Sequence, residues 1–225
     1  MIIVTGASRG LGAAIYARLA MHGLRVLGVS RSISEDALGM ERCDVGSYND
    51  VRTLSRRIRQ CGEPVEGLIN AAGVASMNLA LMMPPHMTEA LVRTNLLGTI
   101  HCCQCLTPLM VRRRTGRIIN FSTIAVALAL KGEAVYAASK AGVEAFSRAF
   151  AREVAEFGIT VNCIAPGPIR TGLLHGVTDA QIEHIVSQQI IPHEFSPDAV
   201  CDLTELLLDR RADAISGQVL HVGGY

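Results

Sequence analysis

Residues 116–142 read GRIINFSTIAVALALKGEAVYAASKAG, and the rest of the chain is organised around them. The first part, Arg117 to Ser122, is short, largely apolar and β-prone, which predicts a buried strand. The last part, Tyr136-Ala-Ala-Ser-Lys140, runs into a helical pattern of Ala141, Val143, Phe146, Phe150 and Val154. A tyrosine and a lysine four apart on a helix share one face, with Cβ atoms roughly 5–6 Å from each other. A free phenol, with a pKa of about 10, is a poor acid–base group at neutral pH. An ammonium beside it is expected to lower that value, and a drop of about 3 units takes about 4 kcal/mol. Alone, the Y-x-x-x-K pattern is common by chance and reads as a surface pair on an amphipathic helix.

The pair does not stand alone. Directly after the apolar run Ile2-Ile3-Val4 comes Thr5-Gly6-Ala7-Ser8-Arg9-Gly10-Leu11-Gly12. Strand, glycine-rich turn, then helix is the context that makes a glycine motif a dinucleotide site. Together these motifs, in this order and at these separations, resemble the short-chain dehydrogenase/reductase family from Ile2 to Gly224, with its T-G-x-x-x-G-x-G spacing. Among subgroups the chain looks most like the 3-oxoacyl-[acyl-carrier-protein] reductases. The resemblance implies an α/β fold: one Rossmann domain over residues 1–225, doubly wound on a parallel sheet of about seven strands with helices on both faces.

The resemblance also implies a site. Its catalytic tetrad of Asn, Ser, Tyr and Lys falls on Asn95, Thr123, Tyr136 and Lys140. The serine position, thirteen before the tyrosine, is held by a threonine. Ser122 is its neighbour, and neighbours on an extended segment point to opposite faces, so Ser122 is not expected to replace it. Thr123 keeps a hydroxyl, with a rotamer restricted by its β-branch. Steric needs explain Gly6, Gly10 and Gly12, and backbone N–H groups around Ser8 and Leu11 are expected to hold phosphates. Further cofactor positions are Asp44 and Val45 at the adenine, Asn70, Ala71 and Gly73 on the floor, and Pro166, Gly167, Ile169 and Thr171 at the nicotinamide. The family's second asparagine before Ala-Gly is Ala71 here, which predicts a small structural change.

Strand two, Arg25 to Ser30, ends where NAD enzymes of this kind place an acid for the adenosine ribose. Ser30 stands there, followed by Arg31, with Arg9 inside the glycine turn. A hydroxyl and two guanidiniums suit a 2′-phosphate, which favours NADP (NADPH) over NAD. The other reading is two solvated arginines.

Asn95 lies in a helical pattern from about Thr88 to Arg114, an unfavourable place for asparagine. In the family this asparagine bends its helix and helps hold a water near the lysine. Shorter segments complete the reading. Ser47 and Asp50 predict a cap for a helix over Val51–Arg59, and Gly23 predicts the end of the first helix. A strand is expected across Glu41–Val45. Residues 172–197 are expected to form the substrate lid, and its His175, His184 and His193 receive no role.

Composition bounds the rest. The chain has 225 residues, 49% hydrophobic content and a formal net charge of +1. It can bury a large core, and nothing points to nucleic acid. No apolar run reaches the ~18 residues of a membrane span. A first strand starting at Ile2 leaves no expected signal or transit peptide. Seven cysteines, with no export signal expected, predict reduced thiols and a cytoplasmic protein. His101-Cys102-Cys103-Gln104-Cys105 lacks the spacing of a metal site, and no metal is expected.

The leading expectation is therefore an NADPH-dependent carbonyl reductase acting on a 3-oxoacyl thioester, with the substrate small or carried on acyl carrier protein. Arg114 matches a basic carrier-docking position in such reductases, whereas the second such position is Phe157. Another small ketone or alcohol of secondary metabolism is the alternative. A non-catalytic NADP-binding sensor or scaffold is the rival from another class. In relatives, the Asn95 helix and the Tyr136 helix build a dimer interface, which predicts a homodimer or homotetramer.

Overall fold

Four consecutive buried residues, Ile2–Thr5, form β1, and the glycine turn launches α1 (Gly10–Met21) back along the strand. The computed structural model describes residues 1–33, 39–172 and 177–225. Six further strands follow among the described residues: β2 (Val26–Ser30), β3 (Met40–Arg42), β4 (Gly67–Asn70), β5 (Gly116–Phe121), β6 (Ile159–Pro166) and β7 (Val219–Val222). All pair in parallel, in the order β3-β2-β1-β4-β5-β6-β7. After β1 the chain winds outward to β3, then returns to lay β4 on the other side of β1. This reversal opens a crevice at the carboxyl ends of β1 and β4, where parallel sheets bind their ligands.

The period-two pattern of the strands sorts the core into two layers. Ile3, Leu68, Ile118 and Val161 face one side. There they meet α2 (Tyr48–Cys61) through Val51 and Leu54, α4 (Gly98–Leu106) through Cys102 and Leu106, and α7 (Ala134–Val154) through Val154. Ile2, Val4, Ile69, Ile119 and Ile164 face the other, against Ile15 and Leu19 of α1 and Val200 and Leu207 of α8 (Pro197–Leu208).

Local signals hold at the ends. Ser47 caps α2 by accepting from the Asp50 amide, and Gly23 follows α1 at φ 77°. Two expectations change. The helix expected over Thr88–Arg114 is four pieces: α3 (Pro85–Leu91), a π-helical stretch (Val92–Leu97), α4 and α5 (Pro108–Val111). Asn95 sits inside the π segment with its side chain bonded elsewhere, and Pro108 has no N–H to continue α4. The strand expected over Glu41–Val45 stops at Arg42. Cys43 makes the last bond to β2, and the chain then turns as the Gly46 amide donates to Asp44 Oδ1 at 3.0 Å.

Candidate active site

β5 delivers Ser122 and Thr123 to the crevice, and the alternation expected there is observed. The Ser122 hydroxyl turns into the interior and donates to Glu144 Oε1 at 2.5 Å. Thr123 faces the other way. It caps the short helix α6 (Ile124–Leu128), accepting from the Ala125 amide at 3.2 Å, and its hydroxyl stands beside the Tyr136 phenol.

Tyr136 and Lys140 project from the first turns of α7, both buried. The lysine was expected to lower the phenol; the arrangement does otherwise. Burial pushes Tyr136 up to about 12, the nearby Glu133 carboxylate adds to the rise, and only the Thr123 hydroxyl opposes it. Lys140 Nζ instead donates to the Phe121 carbonyl at 2.8 Å, and burial lowers its ammonium from 10.5 to about 8. The phenol is thus held as a protonated donor at neutral pH.

Asn95 is fully buried behind this pair. Its Oδ1 accepts from the Val74 amide at 2.9 Å. Its Nδ2 donates to the Val74 carbonyl at 2.9 Å and to Ser139 Oγ at 3.1 Å. Ser139 in turn donates to the Tyr136 carbonyl at 2.7 Å. Asn95 therefore ties the segment after β4 to the backbone of the tyrosine helix.

A cavity of about 810 Å³ runs from the glycine turn to Tyr136. All the cofactor and catalytic positions named from the sequence line it except Asp44, Asn70 and Asn95. Asp44 is turned away, with Oδ2 bound by Arg93 at 2.5 Å. Asn70 is buried in the sheet, where its Nδ2 donates to Asn120 Oδ1 at 2.8 Å. Residues 173–176, including His175, lie outside the described residues. His184 is exposed, and His193 packs its ring on Phe195 at 4.1 Å. Cys102 and Cys103 are buried, with thiols pushed up by burial. Among the described residues no three His, Cys, Asp or Glu side chains gather as a metal site.

The residues present fit a nicotinamide dinucleotide. A Cβ on Gly12 would lie 2.3 Å from the Gly6 carbonyl oxygen, so the turn closes only without side chains. Gly10 opens α1 toward the cavity at φ 59°, where a Cβ would meet only Thr171, at 3.8 Å. The helix has no side-chain cap and no acid in its first turn, leaving its N–H groups for a phosphate. At the far end Ser8 and Ser30 share a hydrogen bond of 2.7 Å between Arg9 and Arg31, both exposed.

Wall residues that the sequence does not single out include Ser76, Met77 and Glu133. The first two lie in a segment without regular structure. Glu133 reads as a helix-start residue, and nothing in the pattern directs its side chain inward.

Fold and site together define a dehydrogenase of the Rossmann type, and the comparisons agree. The family model for short chain dehydrogenases matches residues 1–182, and the chain belongs to that family. It is an oxidoreductase that acts on CH–OH/C=O groups with a nicotinamide cofactor. It is 34% identical to the 3-oxoacyl-[acyl-carrier-protein] reductase FabG of Staphylococcus epidermidis, covering 99% of this chain and 96% of that one. The enzyme of the same name from Escherichia coli K12 is 33% identical, with 99% and 95% covered. Among solved structures, gox2181 superposes with a TM-score of 0.91 at 25% identity, covering 98% of this chain and 93% of the other. The aldohexose dehydrogenase of Thermoplasma acidophilum gives 0.88 at 27% identity, covering 99% and 92%.

The buried ammonium has a measurable signature. Between pH 8 and 10.5 an unfolded lysine keeps its proton while folded Lys140 has lost it, so its contribution to stability rises with pH. The full rise is about 3 kcal/mol. Buried thiols such as Cys43, pushed up to about 12, give the opposite slope above pH 9. The difference between parent and Lys140→Met, from denaturant unfolding across this range, isolates the lysine. A difference that stays flat from pH 8 to 10.5 contradicts the assignment.

Proposed function

We propose that this chain is an NADPH-dependent carbonyl reductase whose substrate is a 3-oxoacyl thioester. The observation that carries the reading is the Thr123–Tyr136 hydroxyl pair beside Lys140, on the wall of the cavity that begins at the glycine turn. A bound nicotinamide cofactor supplies the hydride. The Thr123 hydroxyl and the Tyr136 phenol polarise the carbonyl, and Tyr136, protonated at neutral pH, gives its proton to the developing alkoxide. Lys140, held on the Phe121 carbonyl, would bind the cofactor's ribose, and Asn95 fixes the helix that carries both Lys140 and Tyr136. The described part of residues 172–197 acts as a lid within a single domain. Arg170 secures it through Asp179 at 2.8 Å and Glu194 at 2.7 Å.

A second reading, a free ketone or polyol-like alcohol, is favoured by the carrier-docking positions. Arg114 is drawn onto the Glu156 carbonyl, and Phe157 packs against the core. The structural likeness to an aldohexose dehydrogenase supports the same reading.

Three tests bear on this function. NADPH should bind more tightly than NADH, and Arg31→Ala should weaken NADPH alone by about 1.5–3 kcal/mol through lost charge-assisted bonds. Equal affinity of the parent for both cofactors rules this out.

For the hydroxyl pair, Thr123→Ala should lower kcat/KM by roughly 10²–10³, the loss of one oxyanion donor. Thr123→Ser should keep or raise activity, and Tyr136→Phe should be worse than either. Steady-state kinetics on 3-oxoacyl thioesters and simple ketones read this order; a Thr123→Ala enzyme equal to the parent overturns the assignment.

Assembly is expected through α7, where Ala138, Ala145 and Ala149 form an exposed small-residue row. Light scattering should give at least a dimer at micromolar concentration, and a stable 24.0 kDa particle is the contrary result.

A further inference from the structure

Among the described residues, one acidic side chain lines the cavity, and it stands at the reacting end. Glu133 precedes α7 and lies one turn before Tyr136. It occupies the N-cap position, yet its carboxylate makes no cap bond. It makes no ion pair or side-chain hydrogen bond with any described residue. Its surroundings are apolar: Val74, Ala75, Met77 and Leu130 share this end of the cavity, and burial raises its carboxyl. Of the cationic wall residues, Arg9 and Arg31 belong to the opposite end, beside Ser8 and Ser30, and Lys140 directs its ammonium onto the Phe121 carbonyl.

For the chemistry alone, this carboxylate is unfavourable. Its charge opposes loss of the Tyr136 proton, the event that the reduction needs. A half-buried acceptor with no protein donor is also costly, and a donor on a ligand relieves that cost. A carboxylate on the ligand at the same place adds a second uncompensated negative charge.

We propose that Glu133 is a specificity-determining residue, whose carboxylate accepts a hydrogen bond from a hydroxyl carried beside the substrate's carbonyl and excludes ketones bearing a carboxylate there. This rests on the carbonyl-reductase reading and gives it a substrate class: neutral hydroxy ketones, including hydroxylated 3-oxo esters and thioesters, in preference to free oxo acids.

Two matched pairs of ligands test it. One is 1-hydroxyhexan-2-one against its O-methyl ether, which lacks the donor. The other is ethyl 3-oxohexanoate against 3-oxohexanoate, which adds the charge. Affinity for the NADP⁺-loaded protein is measured by titration calorimetry, and turnover with NADPH is measured separately. The parent should favour the hydroxy ketone and the ester by roughly tenfold or more in affinity, the scale of one charge-assisted hydrogen bond. Glu133→Gln keeps an acceptor without the charge. It should retain the hydroxyl preference and bind 3-oxohexanoate roughly tenfold tighter than the parent does. Glu133→Ala should lose both preferences, while both variants keep the parent's NADPH affinity.

A parent that binds the members of each pair alike overturns the inference without any variant. Variants that retain both of the parent's preferences overturn it as well. Active turnover without these preferences removes the Glu133 role and leaves the reductase reading. The preferences without turnover of any ketone keep the Glu133 role and remove the reductase reading.

Discussion

The bond from the Lys140 ammonium to the Phe121 carbonyl joins the end of β5 to the first turns of α7. It fixes where one element stands against the other. A buried ammonium is tolerable only with an oxygen partner, and the last carbonyl of the strand supplies it. Once Lys140 is held there, Tyr136 lies one helical turn earlier and opposite the residue two past the strand end. Thr123 is that residue. The pairing of Thr123 with Tyr136 thus follows from a strand terminus meeting a helix at a fixed height.

Polar side chains brace this junction from behind. Asn120 in β5 accepts from Asn70 in β4 and donates to Ser147 in α7 at 2.7 Å, while Asn95 binds the segment after β4 to the tyrosine helix. Thr5 closes the same crevice, accepting from the Ala72 amide at 3.1 Å. In a parallel sheet buried on both faces, such groups are costly unless each finds a partner. Through these bonds, with Asn70 Oδ1 left without a partner, they allow one relative placement of strand and helix, which apolar contacts alone would leave looser.

Much of this was legible because the signals were local. Short, largely apolar runs located the strands, and the glycine spacing located the turn. Strand alternation separated Thr123 from Ser122, since side-chain direction there depends on one neighbour. The less legible features involve distant partners. The direction of the Lys140 ammonium depends on Phe121, nineteen residues away, so the expected effect on the phenol did not follow from helix spacing. Asp44 reads as a cofactor contact until Arg93, forty-nine residues on, captures it. The π-helical stretch around Asn95 depends on bonds to Val74 and Ser139, which no helix propensity encodes. Glu133 carries no sequence signal because its role lies in the absence of a local partner.

The cysteines have a practical consequence for spectroscopy. All seven are free thiols, and Cys43, Cys102, Cys103, Cys163 and Cys201 are buried while Cys105 is partly covered. Burial raises all six, which keeps them as unreactive thiols at neutral pH. Cys61, at the end of α2 and away from the cavity wall, is the exposed one. The unmodified chain therefore offers a single preferred position for a maleimide fluorophore or spin label. A reporter there stands on a rigid helix that packs on the sheet, and it can follow the protein without a cysteine being added or removed.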